Sequence, residues 1–112
     1  MDDDAARQRV SALRAEAERS VAELDRRIAD VVAARADANG DDEHDPEGAT
    51  IGFEWSQADA LRAAARARVV AADGALRRIA SGSYGICSVC GQPIAPGRLE
   101  VRPLTDRCVH HA

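Results

Sequence analysis

Cys87-Ser88-Val89-Cys90 and, seventeen residues further on, Cys108-Val109-His110-His111 are the two stretches that decide how this chain is built. Together they read C-x2-C-x17-C-x2-H. Zinc takes ligands at the corners of a tetrahedron, and a CxxC turn presents two sulfurs to one point. The second stretch repeats the spacing with histidine as its last donor. Gly85 and Gly91 bracket the first pair, where the backbone has to turn around the sulfurs. The reading is one structural zinc ion held by Cys87, Cys90, Cys108 and a histidine. The matched spacing selects His111, with His110 as the alternative. Four protein ligands leave no open coordination position, so the ion is structural and not catalytic. Three cysteines cannot all pair within one chain, and no βαβ pattern surrounds the CxxC as a redox motif would need. A histidine in place of a fourth thiolate removes one negative charge from the site.

N-terminal to this module the chain reads as helix. Residues 4–37 hold no Pro and no Gly, and Val10, Leu13, Ala17, Val21, Leu24, Ile28 and Val31 recur at gaps of three and four. That is the stripe of an amphipathic helix. One of Asp2, Asp3 or Asp4 caps its start, and Asp3–Arg7 and Glu23–Arg27 are favourably ordered pairs. Residues 37–49 carry six acidic side chains, a stop signal at Asn39-Gly40 and a start signal at Asp45-Pro46. Residues 50–81 return to helix, with a seam of Ile51, Ala58, Leu61, Ala65, Val69, Ala72, Leu76 and Ile79, and with Asp73–Arg77 as a supporting pair. Folding the chain back near His44 and Asp45 sets residue i against residue 89 − i, so that Val10 meets Ile79, Leu13 meets Leu76 and Val31 meets Ala58. The expected fold is mainly α: an antiparallel coiled-coil hairpin over residues 1–81 with an acidic tip at 37–49, then a small zinc-finger module over residues 82–112.

Composition narrows the functional classes. The chain has 112 residues and a formal charge of −4, and all 15 of its basic residues are arginine. Direct DNA binding is not expected, because phosphate affinity comes mainly from positive charge. A protein partner with a basic groove suits the acidic tip better. The Ala- and Arg-rich composition points to a GC-rich bacterial genome. The N-terminal Met-Asp-Asp-Asp is opposite in sign to the start of a signal peptide, and no apolar run reaches membrane-spanning length. A cytoplasmic monomer is expected, with no membrane contact. No nucleophile–base constellation and no phosphate loop is present, so an enzyme is not expected. Phe53 and Trp55 read either as a partner contact or as a lock on the tip, with Ala34 leaving room for Trp55. Arg62, Arg66, Arg77 and Arg78 read as a solvated face.

A helical hairpin followed at once by such a module resembles the DksA/TraR family of bacterial transcription regulators. Gly82-Ser83-Tyr84-Gly85-Ile86-Cys87-x-x-Cys90-Gly91-Gln92-Pro93-Ile94 is similar to that family's first half-site, Arg98-Leu99-Glu100-Val101-Arg102-Pro103 to its connecting segment, and Cys108-x-x-His111 to its second half-site. The resemblance implies binding to RNA polymerase, with the coiled coil entering the secondary channel and the acidic tip near the active centre. It implies tip contacts from Asp42, Asp45, Glu47 and Thr50, and affinity from Arg98 and Arg102 in the zinc module. The family's tip pattern is Asp-x-x-Asp-x-Ala; here Asp45 keeps the first position, Gly48 stands at the second and Thr50 at the Ala. The other expectation is a zinc-stapled coiled-coil adaptor acting on another protein or ribonucleoprotein.

Overall fold

The computed structural model describes residues 2–38 and 46–112. Helix α1 runs Asp3–Ala38, helix α2 runs Pro46–Ser81, and a short helix α3 spans Pro96–Val101 before a closing 3₁₀ turn, Val109–His111. α1 and α2 form an antiparallel hairpin. Asp2 caps α1, its carboxylate accepting from the Asp4 N–H at 3.2 Å, and Arg7 pairs with Asp4 at 3.1 Å. Pro46 stands at the first position of α2, as its fixed φ and missing N–H favour. The acidic segment is therefore shorter as a connection than the expected 37–49: Asp37 belongs to α1 and Glu47 to α2. α2 stops in a Schellman motif. Gly82 takes φ 79°, its N–H donates to Ile79 O at 3.3 Å, and the Ser83 N–H donates to Arg78 O at 2.9 Å.

The chain packs as two compact units, Met1–Glu16 with Arg68–Ala112, and Ala17–Ala67. In the first, Ala6 and Val10 of α1 close against Ala72, Ala75 and Ile79 of α2, with Leu76, Tyr84 and Leu104 packed around them. Arg14 reaches Asp73 across this unit at 2.5 Å, so Asp73 bonds across the hairpin to α1, where the sequence pointed to Arg77. In the second unit Ala17, Ile28 and Val31 of α1 and Ala58 and Ala65 of α2 are buried, and Asp25 pairs with Arg62 at 2.9 Å. Val10 and Ile79, mates under the 89 − i rule, share one core cluster. Within its own unit, each of the pairs Arg14–Asp73 and Asp25–Arg62 falls two residues from the mate that rule gives.

One seam assignment is overturned. Leu61 is 47 % exposed, whereas Ala58 and Ala65 on either side of it are buried. The row of α2 that carries its buried residues steps regularly by four and three through Ala58, Arg62, Ala65, Val69, Ala72, Leu76 and Ile79. That row passes through Arg62, whose side chain is only 22 % exposed. A leucine next to an arginine looks like the core residue by hydropathy. Helix periodicity, which fixes direction, places the arginine inward. Arg62 and Arg78 thus leave the solvated face on which the sequence placed them. Arg66 stays exposed, 3.8 Å from Asp25, and Arg77 stays exposed.

Among the described residues, six of the fourteen buried apolar ones are alanines, all on α1 and α2, so the seam is thin and tight. Ala65→Leu should cost about 1–3 kcal/mol by overpacking, while Leu61→Ala should change stability by less than about 0.5 kcal/mol. Urea unfolding followed by circular dichroism checks both. A loss of about 2 kcal/mol or more for Leu61→Ala would put Leu61 in the seam.

Candidate metal centre

The strand-like start of the module turns back on itself. Ile86 and Pro93 form an antiparallel bridge, the Cys87 N–H donates to Gln92 O at 2.8 Å, and the Gly91 N–H donates to Cys87 O at 2.9 Å. Gly85 at φ 83° and Gly91 at φ 73° make the two bends, where an L side chain would be strained. The second half of the module is tied to the first by the Ser88 N–H, which donates to Asp106 O at 2.8 Å. The 3₁₀ turn starts directly after Cys108, with the His111 N–H on Cys108 O at 3.0 Å, and it swings the His111 ring over the sulfurs.

One donor atom from each of Cys87, Cys90, Cys108 and His111 lies within 4.8 Å of the other three. Cys90 Sγ and Cys108 Sγ are 3.8 Å apart, and His111 Nδ1 is 3.1 Å from Cys108 Sγ and 3.8 Å from Cys87 Sγ. A tetrahedron with zinc–sulfur bonds of about 2.3 Å has sulfur–sulfur edges of about 3.8 Å, so the spacing fits zinc. His110 is exposed and not part of this group. The electrostatics point the same way. N–H groups of Cys108 and Cys90 aim at Cys87 Sγ and lower its pKa to about 6, against the effect of burial. At Cys90 the Gln92 N–H favours the thiolate, but burial and the neighbouring sulfurs of Cys87 and Cys108 outweigh it and raise the pKa. Neighbouring thiolates repel one another, and a bound cation relieves that repulsion.

The module is fastened to the helices of its unit by contacts that the sequence did not disclose. The Tyr84 hydroxyl donates to Pro103 O at 2.7 Å, Arg78 donates to Leu104 O at 3.2 Å, and Arg9 donates to Glu100 O. Burial pushes the Tyr84 phenol up, opposed by the charges of Arg9 and Arg78. All three bonds capture carbonyls of residues 100–104, the last turn of α3 and the segment after it. Side chain–carbonyl pairs between distant residues carry no periodicity, so only the fold reveals them. Arg98, half-buried, donates Nε to Arg107 O at 2.8 Å and braces the module internally, whereas Arg102 is exposed. Of the expected tip residues, Asp42 and Asp45 lie outside the described residues. Glu47 falls in the first turn of α2, and Thr50 is exposed one turn further on.

Hairpin and donor set together define a helical hairpin with a zinc finger built onto its open end. Residues 82–110 match the family model described as the prokaryotic dksA/traR C4-type zinc finger. Over 37 residues the chain is 51 % identical to the RNA polymerase-binding transcription factor DksA of Caulobacter vibrioides strain NA1000 / CB15N, and to that of strain ATCC 19089 / CIP 103742 / CB 15. Each match covers 33 % of this chain and 26 % of the relative, so it spans about a quarter of the length of those curated proteins. Over 90 % of this chain and 78 % of the other, the fold is similar to the structure of transcription factor DksA2 from Pseudomonas aeruginosa, with a TM-score of 0.55 and 26 % identity. Residues 82–110 thus match the zinc finger of the DksA/TraR family, and the cofactor of this module is a structural zinc ion. The family description is C4-type; in this chain the residue at the fourth corner is His111, just beyond the matched range.

Purified protein should carry about one zinc per chain by metal analysis. His111→Ala should lose zinc to a chelator faster than His110→Ala, and equal rates would remove His111 from the ligand set. Cys87→Ser should unfold residues 82–112, since about 10–16 kcal/mol of apparent zinc binding is folding energy in such modules. Helical circular dichroism should persist in part.

Proposed function

We propose that this chain is a transcription regulator that binds RNA polymerase through the secondary channel, with Cys87, Cys90, Cys108 and His111 holding its zinc and the acidic tip acting near the active centre. The observation that carries the reading is the zinc module, which matches the dksA/traR zinc-finger model over residues 82–110, in a chain 51 % identical over 37 residues to proteins named as RNA polymerase-binding transcription factors and similar in fold to DksA2 over most of its length. Six acidic residues within 37–49 support an approach to a centre that uses divalent cations, since carboxylates are its natural ligands. No helix among the described residues is long and apolar enough to cross a membrane, and the working site of such a regulator is the cytoplasm.

The two ends of the hairpin divide the work. Asp42, Asp45, Glu47 and Thr50 act by position at the tip. Affinity resides in the zinc module: Arg102 is exposed and available to a partner, while Arg98, bonded to Arg107 O, holds the surface from which Arg102 projects. The protein works as a monomer and does not bind free DNA. Gly48 and Thr50, at positions where the family has Asp and Ala, favour a second reading, a zinc-stapled adaptor for another protein or ribonucleoprotein.

Binding to purified RNA polymerase core enzyme and transcription from several promoters in vitro test the proposal. Asp45→Ala should abolish most of the effect on transcription and leave polymerase affinity within about twofold, a change worth less than about 0.5 kcal/mol. Arg102→Ala should weaken binding itself. Gly48→Asp with Thr50→Ala should strengthen the effect, and Asp in the first turn of α2 suits the helix dipole. If the wild type neither binds polymerase nor alters transcription, the adaptor reading replaces this one.

A further inference from the structure

Helix α1 outreaches α2 at the base of the hairpin. Val10 and Ile79 share one core cluster and obey the 89 − i rule. That rule sets residues 3–7 opposite 82–86, beyond Ser81, where α2 ends. The first turn of α1 therefore has no turn of α2 beside it, yet Ala6 is only 1 % exposed. The zinc module supplies cover there. Tyr84 and Leu104 pack against the cluster that contains Ala6 and Val10, Arg9 donates to Glu100 O, and Leu13 lines one recess with Pro103, Leu104 and Thr105. Ala6, Arg9, Val10 and Leu13 lie on a single face of α1. Met1–Glu16 accordingly forms one compact unit with Arg68–Ala112, while the rest of α1 belongs to the other unit.

These contacts depend on the course of residues 100–105, and the metal ligands set that course. The segment runs between Cys90 and Cys108, and the buried cluster beneath it is Ile94 and Leu99 with the ligands Cys87 and Cys108. Its own backbone bonds are few: the Arg102 N–H donates to Arg98 O at 2.7 Å and the Thr105 N–H to Arg102 O at 3.2 Å. With the four donors unligated, nothing draws Cys108 and His111 onto Cys87 and Cys90, and the carbonyls that Arg9, Arg78 and Tyr84 capture lose their arrangement. The start of α1 is exposed to that loss, because helical stability in proteins comes mostly from packing of a face and not from propensity.

We infer that zinc occupancy controls the order of α1 as far as Glu16. Ligation by Cys87, Cys90, Cys108 and His111 fastens residues 100–104, and the bonds from Arg9, Arg78 and Tyr84 to their carbonyls carry that order to the start of the helix. A chain that gives up its metal loses the base of α1 together with its zinc module. The inference concerns one compact unit of the chain and is independent of the partner it binds.

Hydrogen exchange of the full-length chain, followed by mass spectrometry with zinc bound and after chelation, reads this order directly. The amides of residues 7–16 are the ones to follow, because the first N–H groups of a helix have no partner within it. Chelation should speed their exchange by about tenfold or more, along with that of residues 82–112, and leave residues 21–34 within about threefold. The zinc-loaded variants Arg9→Ala and Tyr84→Phe alter no ligand and should keep one zinc per chain by metal analysis. Each should speed exchange of residues 7–16 by about threefold or more. Alanine is the better helix former, so faster exchange in Arg9→Ala is not an effect of propensity, and Arg9→Lys, which keeps a donor, should lie closer to the wild type. Unchanged exchange of residues 7–16 after chelation would show that α2 alone holds this end of α1. Equal loss of protection in residues 21–34 would show unfolding of the whole chain. Either result overturns the proposal, as does wild-type exchange in both zinc-loaded variants.

Discussion

Metal coordination is the constraint on which the C-terminal part of this chain depends, and the composition of its core shows why. The buried cluster of the module contains Cys87, Ile94, Leu99 and Cys108, with Tyr84 packed beside it. Two of those four buried side chains are metal ligands. Take away the ion, and half of the cluster becomes mutually repelling sulfur. Ile94 and Leu99 alone do not repay the backbone entropy of some thirty ordered residues, at about 1–2 kcal/mol each. Zinc substitutes for a core that a segment this short cannot build.

The module's geometry then propagates to the helices of its unit. With the sulfurs fixed, α3 and the segment after it present the carbonyls of Glu100, Pro103 and Leu104 to Arg9, Tyr84 and Arg78. Those three side chains come from α1, from the turn after α2 and from α2 itself. The base of the hairpin and the zinc module form a single piece of structure, with Val10 and Ile79 at its centre. A carbonyl captured by an arginine is a charge-assisted bond, and two of these with the Tyr84 hydroxyl bond, on five residues, make the attachment specific without a large apolar interface.

The second unit solves a different problem. Its seam is built largely from alanine, which lets two helices approach closely but distinguishes poorly among partners. Arg62 and Asp25 act across the hairpin, as Arg14 and Asp73 do in the first unit. Exposed Phe53 and Leu61 belong to neither arrangement, since both point away from the seam.

The sequence by itself determined the two long helices, an aspartate cap at the start of α1, the start of α2 at Pro46, the stop at Gly82 and the four residues, His111 and not His110 among them, whose donor atoms cluster. Each of these rests on a local rule: a period, a cap, a fixed φ or a ligand spacing, all of which are written into a few neighbouring residues. What only the tertiary structure decided is which of two adjacent residues faces inward and which distant groups meet. Leu61 and Arg62 differ by one step, about 100° around the helix, and hydropathy chose the leucine while the phase of the whole seam put the arginine inside. Asp73 had an arginine four residues away and bonded instead to one across the hairpin. Arg9, Arg78 and Tyr84 found carbonyls far along the chain. In each case the partner is set by three-dimensional proximity, which sequence spacing does not encode.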